Sequence, residues 1–166
     1  MLTVMGQVAT DAHDDPEVIA TSLRLLAEAP VRIERATAGV DEARLHRRTA
    51  DEPWSVNDIL AHVRSAADVR ERFIDAMATG EHASLRYVSP RSELRKTDYV
   101  DRTFAENLAA FRTGRAGLLD RLAGLPADGW TRGSLIRDRP ETVASYVRHL
   151  TEHEMAHCEQ IDALLP

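Results

Sequence analysis

Four long stretches of this chain place apolar residues every three or four positions, and this periodicity constrains the fold more than any other feature. Such spacing puts the apolar side chains on one face of an α-helix, and that face must be buried against other helices. No run of alternating apolar and polar residues is long enough to build a sheet. The sequence therefore predicts an all-α four-helix bundle with long connections of roughly 15 residues. The helical stretches cover residues 16–39, 55–80, 100–123 and 141–165.

Local signals support these helix limits. Ser55, followed three residues later by Asp58, resembles a capping box in which Asp replaces the usual Glu. Pro30 lies inside the first helical stretch, where it is expected to kink the helix or to split it in two. The polar residues 1–15 are predicted to form a flexible N-terminal arm, and residues 16–166 a single bundle domain.

The composition excludes several classes of function. The chain has 166 residues and a net charge of -6, and only 5% of its residues are aromatic, which argues against a nucleic-acid-binding surface. It has neither a long apolar run typical of a membrane span nor the pattern of a signal peptide, so we expect a cytoplasmic protein without a membrane partner. Cys158 is the only cysteine, which excludes an intrachain disulfide and a thiolate zinc site.

The fourth helical stretch carries three histidines at intervals of four residues, His149, His153 and His157. Residues at i and i+4 lie on the same helix face, so two imidazoles at this spacing can share one metal ion. At about 100° per residue, His157 falls inside the apolar stripe, His153 at its edge and His149 outside it. Two histidines are therefore expected to face the bundle interior, where an unpartnered imidazole is costly.

Two interpretations of the inward histidines remain open. Either His153 and His157 are core residues hydrogen-bonded to neighbouring side chains, or they bind a metal ion. His62, on the flank of the apolar face of the second helix, is the candidate for a third ligand. Three histidines with open coordination positions are typical of a catalytic metal rather than a structural one.

The segment around these histidines also matches two other metal motifs. Residues 153–157 read HEMAH, the zinc metalloprotease pattern HExxH, in which Glu154 would be the general base. The absence of a predicted sheet argues against this alternative, because such enzymes normally hold peptides along a strand edge. Residues 154–157 fit the ExxH of di-iron bundles, but no other helix carries a second copy.

Two segments taken together resemble the DinB-like superfamily. They are WSVNDILAH at residues 54–62 and HLTEHEMAHCEQI at residues 149–161. The resemblance implies a four-helix bundle of crossed topology that holds a divalent metal at one end. Carried over residue by residue, the ligands would be His62, His153 and His157, with zinc or nickel as the expected metal. Gln160 matches a frequent family glutamine three residues after the last ligand.

The same resemblance implies an activity. Members of this superfamily include mycothiol-dependent maleylpyruvate isomerase and bacillithiol S-transferases, so a transferase or isomerase using mycothiol or bacillithiol is expected. A cation with an open position lowers the pKa of a bound thiol, and the same site can activate water for a hydrolase. The alternative is a non-catalytic metal-binding or structural bundle. The expected partner is a small-molecule substrate or thiol. The resemblance to the family also leads us to expect a homodimer.

Three further residues are candidates for the site. Arg70, on the apolar stripe of the second helix, is expected to anchor an acidic group of the substrate, and Tyr146 to donate a hydrogen bond to it. Glu154 is the candidate catalytic base, or a residue that orients a ligand. Each has a structural alternative, an ion pair for Arg70 and Glu154 and core packing for Tyr146. Cys158 points about 100° away from His157 and is predicted to be an inert, partly buried thiol.

Overall fold

The protein is described by a computed structural model that covers residues 15–80 and 83–165. Residues 1–14 of the predicted N-terminal arm lie outside the described residues. No helix among the residues that the structure describes is long and apolar enough to cross a membrane.

Four long helices confirm the predicted all-α bundle. They are α1 (Pro16–Thr37), α3 (Val56–Thr79), α5 (Phe104–Ala123) and α6 (Val143–Leu164). The long connections hold two short helices, α2 (Glu42–Leu45) and α4 (Pro90–Leu94), and two 3₁₀ turns at Tyr99–Asp101 and Ala127–Thr131.

The helix limits follow from local chemistry. The capping box predicted for α3 is confirmed, because the Ser55 hydroxyl accepts from the Asp58 backbone N–H while the Asp58 carboxylate accepts from the Ser55 backbone N–H. Gly80 ends α3 in the left-handed conformation that glycine adopts at no steric cost. The third helix starts at Phe104, four residues later than predicted, because residues 99–101 form a separate 3₁₀ turn. Helix α1 continues through Pro30, so of the two predicted effects the proline does not split the helix, and a kink stays a prediction.

The bundle has a crossed topology. Helix α6 packs against α1 and α3, and α5 packs against the same two helices, so α1 and α3 lie on opposite corners and so do α5 and α6. Two of the three connections between successive long helices therefore run to the opposite corner. This path explains their length, since a tight turn can join only neighbouring antiparallel helices.

The core fills the space between the four long helices. Side chains from all four are completely or almost completely buried, and each apolar one contributes about 1.5–3 kcal/mol of transfer free energy. They include Leu26 and Ile33 of α1, Leu60 of α3, Leu118 of α5 and Leu150 of α6.

A small three-stranded sheet at one side of the bundle differs from the prediction that no sheet forms. Its order is β1 (Ser84–Leu85), β2 (Gly133–Ile136) and β3 (Arg139–Thr142), with β1 parallel and β3 antiparallel to β2. Strands of two to four residues are too short to show a readable alternation. Gly133 allows the close approach of β2 and β3, since a Cβ there would lie 2.2 Å from the Glu141 carbonyl oxygen.

Candidate metal centre

Three imidazoles from two helices meet in this bundle. Helix α3 supplies His62, and α6 supplies His153 and His157 on successive turns. One ring nitrogen from each lies within 4.8 Å of the others. The Nε2 atoms of His62 and His153 are 3.2 Å apart. The structure thus brings together the three residues that the family resemblance predicted as ligands.

Gln160 holds the third imidazole. Its Oε1 lies 3.0 Å from Nδ1 of His157, one helical turn before it. Because an amide oxygen can only accept, Nδ1 carries the proton and donates it, and Nε2 of His157 keeps its lone pair. Hydrogen bonds of this kind fix the tautomer and ring orientation of metal-binding histidines.

The three imidazoles are neutral. Burial lowers the pKa of His62 to about 4 and that of His153 to about 3. Burial also lowers the pKa of His157, although the hydrogen bond with Gln160 opposes this effect. Nearby arginines add to the shift, Arg70 for all three and Arg91 for His62 and His157. Neutral imidazole is the form that binds metal ions, so the cluster needs no deprotonation step near neutral pH.

The geometry fits a divalent metal better than it fits two hydrogen-bonded core histidines. Ligand nitrogens about 2.0–2.1 Å from a tetrahedral zinc lie about 3.3 Å apart, close to the separation of the His62 and His153 Nε2 atoms. A ring nitrogen of His157 lies within 4.8 Å of both, and convergence of a third imidazole on the same point is typical of a three-histidine metal site rather than of a hydrogen-bonded pair.

A tryptophan side chain packs against the histidine cluster. Trp54, which precedes α3, packs edge-on against His62 with 5.2 Å between ring centroids. The Arg91 guanidinium lies 5.5 Å from the centre of the Trp54 ring. The indole shields one side of His62 from water, which contributes to the burial that keeps this imidazole neutral.

The sequence model of the DinB superfamily matches residues 25–161. The chain belongs to the DinB superfamily. This match confirms the resemblance that the two histidine-containing segments predicted.

Two solved structures share the DinB fold of this chain. YfiT from Bacillus subtilis, described as a probable metal-dependent hydrolase with an unusual four-helix bundle topology, is 17% identical, with a TM-score of 0.74 over 96% of this chain and 94% of YfiT. Mycothiol-dependent maleylpyruvate isomerase is 19% identical, with a TM-score of 0.71 over 90% of this chain. The chain spans only 62% of that isomerase. At these identities the likeness shows the fold alone. No curated protein matches the sequence.

Glu154 lies beside a ligand histidine in sequence but contacts a different part of the bundle. Its carboxylate is fully buried and forms an ion pair with Arg115 of α5, on the opposite corner of the bundle. Burial raises the pKa of Glu154 to about 7, against the opposing charge of Arg115. This ion pair is the structural alternative that we considered for Glu154. A role of Glu154 as a catalytic base stays a prediction. The sequence did not predict a role for Arg115, because nothing in the sequence of α5 indicates that this arginine pairs with a glutamate of α6.

Cys158 is part of the core. The side chain is 1% exposed, and burial raises the pKa of its thiol to about 12. Its Sγ lies 3.9 Å from the Ala29 carbonyl oxygen of α1, toward the neighbouring helix. A thiol of this kind is protonated at neutral pH and unreactive.

Arg70 and Tyr146 line a cavity next to the sheet. Tyr146 is buried and packs edge-on against Phe73, with 5.6 Å between centroids. Arg70 is half-buried, and its Nη1 has no hydrogen-bond partner among the described residues. His149 lines the same cavity and is not part of the cluster formed by the other three histidines. The substrate-binding roles of Arg70 and Tyr146 stay predictions.

The pKa values of the cluster predict how the metal-free protein responds to acid. His62 and His153 bind protons more weakly in the folded protein than in the unfolded chain. The free energy of unfolding should therefore fall as the pH drops from about 6.5 toward 4. Each pKa unit of difference corresponds to about 1.4 kcal/mol. Urea unfolding of chelator-treated protein across this pH range measures the effect.

The matched control for this measurement is the His153→Asn variant. Carboxylates also titrate in acid, and the difference between wild type and variant isolates the contribution of the imidazole. The difference should change steadily between the unfolded histidine pKa of about 6.5 and the folded value of about 3. A difference that is independent of pH would contradict the depressed pKa.

Proposed function

We propose that this DinB-superfamily protein is a metal-dependent enzyme whose divalent cation is held by His62, His153 and His157. The observation that carries the proposal is the convergence of three neutral imidazoles from two helices, that of His62 buried and those of His153 and His157 half-buried. Imidazole donors suit zinc and nickel, which we propose as the metal. Three ligands leave at least one coordination position open for a reactant.

The chemistry follows from that open position. A divalent cation in such a site supplies Lewis acidity, which lowers the pKa of a nucleophilic water or thiol. The residues of the chain hold and shield the site. Gln160 orients the His157 ring, and Trp54 covers one side of His62. The charges of Arg70 and Arg91 disfavour protonation of the imidazoles, which would otherwise compete with the metal.

The nucleophile comes from outside the protein. Cys158 is buried with a raised pKa, so it does not supply a thiolate. The two candidates are a small-molecule thiol, mycothiol or bacillithiol, and water. Structural likeness to mycothiol-dependent maleylpyruvate isomerase supports the thiol, and likeness to YfiT supports hydrolysis. The single lysine, Lys96, among many arginines is typical of a GC-rich genome, which favours mycothiol as the thiol.

The peptidase alternative has less support. In the HExxH mechanism the glutamate acts on a water next to the metal. Here the Glu154 carboxylate is fully buried against Arg115. A small-molecule substrate therefore remains our proposal for the partner. The cytoplasmic location and the homodimer expected from the sequence also remain predictions.

Thiol binding separates the two candidate reactions. If the protein is thiol-dependent, mycothiol or bacillithiol should raise the melting temperature of the zinc-loaded protein, because ligands that bind only the folded state stabilise it. Thermal shift measures this, and the His153→Ala variant should show no shift. A shift with neither thiol, together with metal-dependent hydrolysis of small esters or amides, would establish the hydrolase instead. Stoichiometric metal without either result would favour the non-catalytic alternative.

A further inference from the structure

A second feature near the histidine cluster is a cavity of about 510 Å³ between the sheet and helices α3 and α6. Its volume lies within the usual range for sites that bind small molecules. Three arginines line it, Arg70 from α3, Arg137 from the turn between β2 and β3, and Arg139 from β3. Tyr87 and Tyr146 complete much of its wall.

The arginines of this cavity are not neutralised. Elsewhere in the described residues arginines repeatedly pair with acids, as Arg48 does with Asp58 and Arg32 with Asp162. Within residues 15–80 and 83–165, no carboxylate lies within 4.0 Å of the guanidinium of Arg70, Arg137 or Arg139. This is unexpected in a chain with a net charge of -6. Three unpaired guanidinium groups around one cavity form a site for an anion.

The acid that lines the cavity does not cancel this charge. Glu141 lies on β3, and one of its carboxylate oxygens accepts a hydrogen bond of 2.6 Å from the Ser145 hydroxyl. The same oxygen lies 3.7 Å from Nδ1 of His149. These contacts direct the carboxylate toward α6 and leave a net positive cavity.

The backbone holds one arginine in an unusual position. Arg137 and Asp138 form the two-residue turn between β2 and β3, and both have positive φ angles, 52° and 60°. This conformation normally selects glycine or asparagine, so an arginine here costs free energy. The Arg137 guanidinium stacks on the Tyr87 ring, 3.5 Å from its centroid. Stacking covers the face of the guanidinium and leaves its N–H edge available to the oxygens of a carboxylate or phosphate group.

Arg70 links the cavity to the histidine cluster. It follows His62 by two turns of α3, about 12 Å along the helix axis, and its long side chain shortens that gap. Its charge lowers the pKa of all three clustered histidines. An anion bound at Arg70 therefore lies within electrostatic reach of a metal at the cluster.

We infer that this cavity binds the oxyanion of a small organic substrate, a carboxylate or a phosphate group, and orients the rest of the molecule toward the histidine cluster. Arg70, Arg137 and Arg139 bind the oxyanion, and the Tyr87 and Tyr146 rings pack against the carbon skeleton. The inference names the substrate class of the proposed enzyme and rests on that proposed function. The anion site itself is built from residues outside the cluster and can be tested without metal.

Titration calorimetry on metal-free protein tests the site, with succinate, inorganic phosphate and uncharged succinamide as probes. Succinate or phosphate should bind, and succinamide should not. Binding of succinate alone assigns a carboxylate, and binding of phosphate alone assigns a phosphate group. The Arg137→Asn variant, which keeps a residue suited to the left-handed turn, should weaken binding about tenfold or more through the loss of charge-assisted hydrogen bonds. Arg70→Gln should do the same, with circular dichroism reporting its fold.

The control is Arg86→Ala, which removes an exposed charge close to Tyr87 but outside the cavity. It should leave the affinity within about twofold, as weak surface electrostatics predicts. His153→Ala should also leave it unchanged, so a failure of the metal hypothesis is distinguishable from a failure of the anion site. The inference is overturned if neither anion binds, if succinamide binds as well as succinate, or if Arg86→Ala weakens binding as much as Arg137→Asn.

Discussion

Replacement of His153 by alanine should abolish stoichiometric binding of a divalent metal. The imidazole supplies one of three ligands and lies 3.2 Å from a second, so its loss leaves two donors and an open cavity. Loss of a residue that only supports a ligand already reduces metal affinity 10–100-fold, and we expect loss of the ligand to exceed about 100-fold. Metal analysis after dialysis against zinc or nickel measures the stoichiometry. Any metal-dependent activity should disappear with it.

The matched control for metal binding is His149→Ala. His149 lies one turn before His153 on the same helix, carries the same side chain and lines the neighbouring cavity. Its removal should leave one metal ion per chain. Equal loss of metal in the two variants would show that helix α6, rather than the cluster, is what the mutations disturb.

Replacement of Arg115 by methionine should destabilise the fold by about 3–5 kcal/mol, because it leaves the buried Glu154 carboxylate without its charge partner. The free energy of unfolding of a small domain is typically about 5–15 kcal/mol, so this loss is a large fraction of the total stability. Urea unfolding at about pH 9 measures the change, because Glu154, with a pKa of about 7, is fully ionised in the wild type only above neutral pH. The loss should shrink as the pH falls below 7, where Glu154 is protonated in both the wild type and the variant.

The double variant Arg115→Met with Glu154→Leu is the test of this interpretation. Removal of both charges leaves no unpaired ion, and well-packed apolar replacements of buried ion pairs are often neutral or stabilising. We expect the double variant to recover most of the stability that the single variant loses. If the double variant is as unstable as Arg115→Met, the pair contributes through packing rather than charge. Retained metal binding in the double variant would also separate Glu154 from the metal centre.

The parts of this fold that sequence predicted are those set by local rules. Helical periodicity fixed the four long helices, and the Ser55–Asp58 capping box depends only on residues three positions apart. The spacing of His153 and His157 places them on one helix face by geometry alone. His62 became a candidate ligand from its place on the flank of the apolar face of its helix, and the family resemblance then pointed to it as the third ligand.

The parts that sequence did not predict depend on contacts between distant segments. Arg115 and Glu154 are 39 residues apart on opposite corners of the bundle, and neither helix shows the pairing. The arginine-lined cavity depends on the β2–β3 hairpin, whose four-residue strands are too short for a pattern. Its turn, formed by Arg137 and Asp138, lacks the glycine that usually signals such hairpins.

X-ray absorption spectroscopy of the zinc-loaded protein would observe the ligands of the metal itself. We expect three imidazole ligands with zinc–nitrogen distances of about 2.0–2.1 Å, and no sulfur ligand in the protein alone because Cys158 is buried elsewhere. His62→Ala should lose this three-imidazole signal together with its stoichiometric zinc. A zinc–sulfur distance of about 2.3 Å, or an imidazole shell that is unchanged in His62→Ala, would contradict the three-histidine centre.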